Sequence, residues 1–567
     1  MSRTPRSSQA EASTRRLLPF DRLDTTMQDQ ASRGGGGVMW ALVCATVLAV
    51  VLLPLPRVAT AVPVERREEL LSEERAGRVG GALVLSPLEV QVNASLARAI
   101  LDEVETAVRT GVYPPAIHFF KAKPLIERSA VFQFIRRMPK GAALHLHDVA
   151  LASVEWLVRN VTYRPHCYVC LRPEPASPRF KFSVRGAPSP DSCRSAPDGW
   201  ELLADLRRRT PLVEDLDSRL MRGLTMVTED PAAAYPNQNA AWRRFEDVLS
   251  GACGLVLHAP VFRDYFARAL QEFYEDGVSY IELRTLLPNV YDLDGRLHGP
   301  EWVVRAYQDV SREFSHQNPG FLGVKIISSI NRKQNSSAIR MAIEQTVLLR
   351  KAYPDFLVGF DLVGQEDSGS DLWSLRDELE RPAKSGINLP YFLHAGETSW
   401  EGAGVDVNVL DALLFNTTRI GHGLALVRHP LALRLARSRD VPVELCPISN
   451  QVLGLVADLR SHPASVLFSR GHPLVVSSDD PAAFGSRGLS YDLYSAVMGV
   501  AGGLGADLAT LKQLALNSVR YSAMATGAKA EATRRFHASW DAFVQREAEQ
   551  LDGTHRAATP AQPHSEL

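Results

Sequence analysis

Apolar positions along the chain change period twice. Between Val64 and Arg136, VERREELLSEERAGR and SLARAILDEVETAVRTGV place apolar side chains three and four apart among charged ones, which predicts helices broken at Tyr113-Pro114-Pro115. From Trp242 to about Trp540, short apolar runs alternate with amphipathic stretches such as SAIRMAIEQTVLLRKAYP. The runs are VSYIELR, GFLGVKIISSI, FLVGFDLVG, LPYFLHAGE, TRIGHG, VPVELCPIS and HPLVVSSDD; with Ala142–His147 they make eight strand candidates. Strands separated by helices argue for parallel βα units. Eight of them predict an α/β fold of the (β/α)8 TIM-barrel type, in which reactive residues gather at the C-terminal strand ends.

Two stretches break this pattern. Residues 1–37 are polar, Val38–Leu53 is uncharged and apolar, and Pro54-Leu55-Pro56 leads to Ala59-Thr60-Ala61. This reads as a secretory signal cleaved after Ala61, since the run falls short of the roughly 20 residues a membrane span needs. An uncleaved anchor, or a start at Met27 or Met39, is the alternative. A secreted, extracellular protein with no stable span after cleavage is expected, and sequons at Asn93, Asn160, Asn335 and Asn416 suit that route. His564-Ser565-Glu566-Leu567 echoes a retrieval signal, so retention in the endoplasmic reticulum, or a lysosomal location, is the alternative address.

The second stretch, 160–213, is rich in proline and arginine with weak periodicity, and reads as an inserted subdomain. In an oxidising compartment Cys170 and Cys193 could close a surface loop there, while Cys167-x-x-Cys170 could instead be a redox or zinc pair. Arg159–Asp198 holds seven Lys or Arg against three Asp or Glu, which suits a sulfated polysaccharide or a receptor, or simply a solvated loop. The division expected is a leader and signal over 1–61, a helical region over 62–136, a barrel over 137–159 and 214–545, the insert, and a polar tail over 546–567.

Composition narrows the partners. With 63 basic and 64 acidic side chains the net charge is -1, so no global field draws in nucleic acid, and no nucleic-acid partner is expected. Six cysteines are too few for a disulfide scaffold over 567 residues.

The chemistry lies at strand ends. In Gly141-Ala-Ala-Leu-His145-Leu-His147-Asp148 the two histidines are two apart and share one side of a strand, so they can hold one metal ion. Tyr391-Phe-Leu-His394-Ala-Gly-Glu397 runs into a histidine, small residues and a carboxylate, and Arg419-Ile-Gly-His422-Gly423 sets glycines around another histidine. Leu474-Val-Val-Ser-Ser-Asp479-Asp480-Pro481 ends an apolar strand in two carboxylates, which is costly unless a cation or hydrogen bonds hold their charge; capping a helix at Pro481 is the plainer use of Asp480. Any one of these is a commonplace strand or turn feature. All four at one end of a barrel predict a zinc site of His145, His147, His394 and Asp479 with a position open to water. There the ion would make water acidic enough to attack near neutral pH, His422 would take or hold the water proton, Glu397 would protonate the leaving system or a ring nitrogen, and Asp480 would accept a hydrogen bond from substrate or fix the attacking oxygen.

These residues, in this order, resemble the adenosine deaminase family. The segments MPKGAALHLHD, NVTYRPHC, APVFRDY, EFYEDGV, GFDLVG, PYFLHAGET, NTTRIGHG, CPISNQVL and SSDDPAAFG are similar to its secreted growth-factor-related branch, from about Glu65 to Val544. The resemblance implies deamination of adenosine and 2'-deoxyadenosine to inosine and 2'-deoxyinosine. By position it implies one Zn2+ per subunit on the four ligands above, a proton donor in Glu397 and a water-activating base in His422. It implies substrate contacts from Asp148, Trp242, Glu246, Gly364 and Asp480. It further implies a homodimer formed through the helical arm, a Cys170–Cys193 disulfide, and an insert that binds receptors or glycosaminoglycans. One position departs: Asn331 stands where relatives of this type carry histidine, and an amide can hydrogen-bond substrate but cannot become cationic. Two rivals remain in view. A related hydrolase would act on a different amine, such as a nucleotide or a free base; a nucleotide would want a phosphate clamp where Asp148 repels phosphate. A secreted signalling protein with incidental catalysis is the other.

Overall fold

The computed structural model describes residues 64–194, 196 and 199–558, with side chains to Leu551. The signal segment with its alternative start sites, and the C-terminal His-Ser-Glu-Leu, lie outside the described residues. The chain divides into two units, 1–68 and 69–567. Of the first, only Val64–Glu68 is described, as the start of helix Val64–Ala76. No helix among the described residues is long and apolar enough to cross a membrane.

The second unit is built on eight parallel strands: β1 Gly141–His147, β2 Val278–Thr285, β3 Gly323–Asn331, β4 Leu357–Val363, β5 His394–Ala395, β6 Ile420–His422, β7 Val443–Leu445 and β8 Leu474–Val476. They pair in order within two four-stranded sets. The sets join where Phe360 of β4 bridges Tyr391, just before β5, and where Leu146 of β1 bridges Asp479, just after β8. The sheet thus closes into the expected barrel. β5 is short because its backbone donors turn to side chains: Leu393 N–H donates to Thr417 Oγ1 (3.0 Å) and His394 N–H to Asp361 Oδ1 (2.9 Å).

Before the barrel, helix α1, Pro87–Thr110, begins at a capping box in which Ser86 and Glu89 bond each other's backbone N–H. It buries Val92, Leu96 and Ile100 and ends at Gly111. Glu89 also accepts from Lys512 (2.6 Å) and from Trp540 Nε1 (2.7 Å), tying this arm to the last two helices of the chain. Pro114–Ala116 forms a short 3-10 turn at the expected break.

Residues 160–213 hold a three-stranded antiparallel sheet, Cys167–Cys170 between Arg179–Phe182 and Trp200–Leu202. Cys170 is disulfide-bonded to Cys193, while Cys167 is a buried free thiol, so the alternative Cys167–Cys170 pair does not form. The sheet packs on helix α2, Gln238–Val256, where Asp247 accepts from Ser177 N (2.7 Å), Arg172 (2.7 Å) and Arg179 (2.5 Å). Asn160, Asn335 and Asn416 are exposed. Asn93 is half-buried in α1, and its carbonyl accepts from Leu508 N–H.

Candidate metal centre and active site

Each ligand candidate stands where a strand leaves the barrel. His145 and His147 lie on the same side of β1, His394 opens β5, and Asp479 follows β8. His422 and Asp479 adopt positive φ (60° and 58°), a left-handed backbone that costs roughly 1–3 kcal/mol per residue and clusters at functional sites. Gly421 lets the barrel close around them: a Cβ there would meet His145 Cε1 at 3.1 Å.

The proton positions follow from the carboxylates beneath. His145 Nδ1 lies 2.7 Å from Glu444 Oε2, and His394 Nδ1 lies 2.6 Å from Asp361 Oδ2. A carboxylate accepts, so each Nδ1 carries the ring proton and each Nε2 is bare. Those bare Nε2 atoms face each other at 3.0 Å. Asp479 Oδ1 is 3.4 Å from His145 Nε2 and 3.1 Å from His147 Nε2, and is buried without a hydrogen-bond partner. One donor atom from each of His145, His147, His394 and Asp479 lies within 4.8 Å of the others. Lone pairs crowded together in this way repel unless a cation lies between them. The residues fit a metal ion: three imidazoles and a carboxylate could hold it.

Charge on the neighbours agrees. Burial pushes His394 down to about 3, against the pull of Asp361, so its imidazole is neutral. Burial and then the Asp479 charge push Asp480 well up. Glu397 is pushed well above an ordinary glutamate by burial, then by Asp479 and Glu366, and its Oε1 is buried without a hydrogen-bond partner. These surroundings favour its protonated form, and its Oε1 lies 3.7 Å from His422 Nδ1.

The other predicted residues surround this centre unevenly. Asp148 is buried, accepts from Tyr307 OH (3.3 Å), and is raised by burial despite Thr285, His147 and Tyr307. Trp242 packs edge-on to Phe245, which stacks on Phe484 in the loop after Asp480, and its Nε1 is a buried donor without a partner. Glu246 is exposed and paired with Lys333 (2.8 Å). The Lys333 backbone in turn donates to Asn331 Oδ1 (2.9 Å), so Glu246 and Asn331 share one rim. Gly364 has φ 92°, and a Cβ there would stand 2.8 Å from Asn331 Nδ2, so the position needs glycine.

Sequence reasoning missed the support beneath the ligands. Arg284 donates to both Asp361 (2.6 Å) and Glu444 (2.6 Å), and Arg419 joins Glu444 to Glu282, with all five side chains fully buried. Three carboxylates against two guanidiniums leave one negative charge beneath the imidazoles, which favours a cation above. Glu366 was missed too: it accepts from Gly396 N (2.9 Å) and Glu397 N (2.6 Å) and fixes the turn that carries Glu397. The available signal was a charged residue inside each otherwise apolar strand: Glu282, Arg284, Asp361 and Glu444.

A closed (β/α)8 barrel with convergent imidazoles and a carboxylate at its C-terminal strand ends defines the metal-dependent amidohydrolase class. The family description "Adenosine deaminase" matches residues 225–537, and "Adenosine/AMP deaminase N-terminal" matches 59–135. The chain is 49% identical to Adenosine deaminase 2 of Sus scrofa over 85% of its own length and 93% of that protein, and 48% identical to that of Homo sapiens over the same shares. Among solved structures, the Arabidopsis N6-mAMP deaminase shares the fold at a TM-score of 0.51 and 18% identity, covering 72% of this chain and 99% of that one. The chain belongs to the adenosine deaminase family and is an enzyme of that family.

Proposed function

We propose that the protein is a zinc-dependent hydrolase that converts adenosine and 2'-deoxyadenosine to inosine and 2'-deoxyinosine with release of ammonia, outside the cell. The observation that carries this reading is the pairing of the four-donor cradle with a buried Glu397 whose carboxyl is pushed toward its protonated form, in a chain 48–49% identical to proteins named Adenosine deaminase 2. His145, His147, His394 and Asp479 hold the ion. Zinc, suited to three imidazoles and one carboxylate, supplies the Lewis acidity that lets water lose a proton near neutral pH.

Glu397 donates its proton to the purine ring nitrogen and draws electrons from the carbon under attack. The water oxygen bonds to that carbon and one water proton passes to the exocyclic nitrogen, whose bond to the carbon breaks so that it leaves as ammonia; the second water proton returns to Glu397 as the carbonyl forms. His422 takes or holds the water proton and steers the oxygen, while Asp480 accepts a hydrogen bond at the ring. Asp148 addresses the ribose and the Gly364 backbone the purine; Trp242 and Glu246 add further substrate contacts, and Asn331 can hydrogen-bond a ribose or base edge. The carboxylate of Asp148 disfavours a phosphate, which sets nucleosides apart from nucleotides. The test is an ultraviolet assay of purified protein. Loss of adenosine and 2'-deoxyadenosine absorbance with ammonia release, and AMP left intact, is expected; turnover of AMP alone overturns the substrate assignment.

The same reading makes 62–136 a homodimerisation arm, 137–159 with 214–545 the catalytic barrel, 160–213 a receptor- or glycosaminoglycan-binding insert, and Asn93, Asn160, Asn335 and Asn416 the glycan acceptors. A signalling role beside catalysis is favoured by one feature: a cavity of about 640 Å³ at the base of the insert is lined by Arg172, Arg219, Arg222, Arg243 and Arg244 against two carboxylates, Asp247 facing Arg172 and Arg244 and Glu174 facing Arg219 and Arg222. Glu397→Ala separates the roles, abolishing deamination while leaving binding to cells intact.

A further inference from the structure

We infer that Asn450 and His462 are positioning residues that hold His422 as its Nε2–H tautomer, so that His422 meets the reacting oxygen as a hydrogen-bond donor and not as a base. This rests on the reading of His422 given above, which left open whether it takes the water proton or holds it.

The chain of hydrogen bonds starts at a backbone group whose role is fixed. Ala464 N–H donates to His462 Nδ1 at 3.0 Å, so that nitrogen is bare. A neutral imidazole has one N–H, which must then be on Nε2. His462 Nε2 lies 3.0 Å from Asn450 Oδ1 and donates to it. The opposite orientation of the amide would set an N–H against an N–H. With the Asn450 oxygen turned to His462, its Nδ2 faces His422 Nδ1 at 3.1 Å and donates there. His422 Nδ1 is therefore the acceptor, and the ring proton sits on Nε2, the nitrogen 3.9 Å from Asp479 Oδ2. A doubly protonated His422 is excluded by the same contact, because its Nδ1–H would point at the amide N–H.

The chain is closed to bulk solvent: His462 and Asn450 are 0% exposed and His422 is 2% exposed. Burial also pushes His462 down to about 4, which keeps it neutral. Asn450 lies in the short helix Pro447–Val452 after β7, and His462 precedes the turn into Ser465–Ser469, so each is carried on its own short segment. The Nε2–H donor is thus set in place before substrate arrives, which is the condition under which such a donor stabilises developing charge most.

The test uses the zinc-loaded enzyme carrying 15N-histidine. The ring signals of His422, assigned by their loss in His422→Gln, should show a protonated Nε2 and a bare Nδ1. Asn450→Asp offers a carboxylate that accepts from both rings, so it should move the His422 proton to Nδ1 and lower kcat by about 10²–10³-fold with KM unchanged. His462→Phe should lower kcat likewise, and His462→Gln, whose amide N–H can donate to the same Asn450 oxygen, should recover it. A His422 bearing its proton on Nδ1 in the unmodified enzyme overturns the inference, as does an Asn450→Asp enzyme with undiminished kcat. The ring spectrum answers even if a variant fails to fold. If the enzyme leaves adenosine untouched while the spectrum shows Nε2–H, the substrate reading fails and the tautomer assignment stands.

Discussion

The proton-donor role proposed for Glu397 requires a carboxyl that holds its proton, and its surroundings push in that direction. Burial is the largest cause, and Asp479 and Glu366 add to it. Because the acid must be protonated to act, deamination is complete below its raised pKa and falls as pH climbs through it. Glu397→Gln should lower kcat by about 10²–10⁴-fold across the whole pH range while metal content, measured by elemental analysis, is unchanged. A Glu397→Gln enzyme that merely loses metal would place the residue in the cradle instead. Individual residues of this kind were legible in the sequence because each follows a run of apolar strand, where a histidine or carboxylate stands out. Asp361, Glu444 and Arg284 were not legible as a set: each looks like one charge in a strand, and the partners lie 77 to 160 positions apart.

At the scale of elements, the strands act through that buried network. Asp361 and Glu444 fix the tautomers of His394 and His145, so Asp361→Asn and Glu444→Gln should each weaken metal affinity by about 10–100-fold, read by competition with a chromophoric chelator. Unchanged affinity would mean the imidazoles orient themselves. The insert is fastened by an equally local device, Asp247 on α2. Burial would raise its pKa, but the Ser177 N–H and the Arg179 and Arg172 guanidiniums outweigh that and bring it to about 2. A depressed carboxylate contributes stability that is complete above its unfolded pKa, near 4, and lost as pH falls toward 2. Hydrogen exchange across 167–182 should therefore accelerate between about pH 4 and pH 2, and Asp247→Asn should show the fast rate already at pH 7. The strands of this sheet were not legible beforehand, since runs of three or four residues interrupted by arginine and proline carry too little alternation to register.

For the molecule, eight strands far apart in sequence meet only because the barrel closes, and that closure turns four unremarkable motifs into one centre. The alternation of strand and helix made the barrel legible. The Cys170–Cys193 link spans 23 positions, and its removal by Cys170→Ser should cost up to about 3 kcal/mol, seen as a lower thermal midpoint with the metal site intact. The central claim is that these chain-distant ligands form one metal site on which the reaction depends. Its most direct test is to strip the purified enzyme with a chelator and return zinc stepwise while following adenosine deamination. Activity that vanishes on stripping and returns in proportion to zinc, reaching its plateau at one ion per subunit, is predicted; full activity in protein shown by elemental analysis to be metal-free would contradict it.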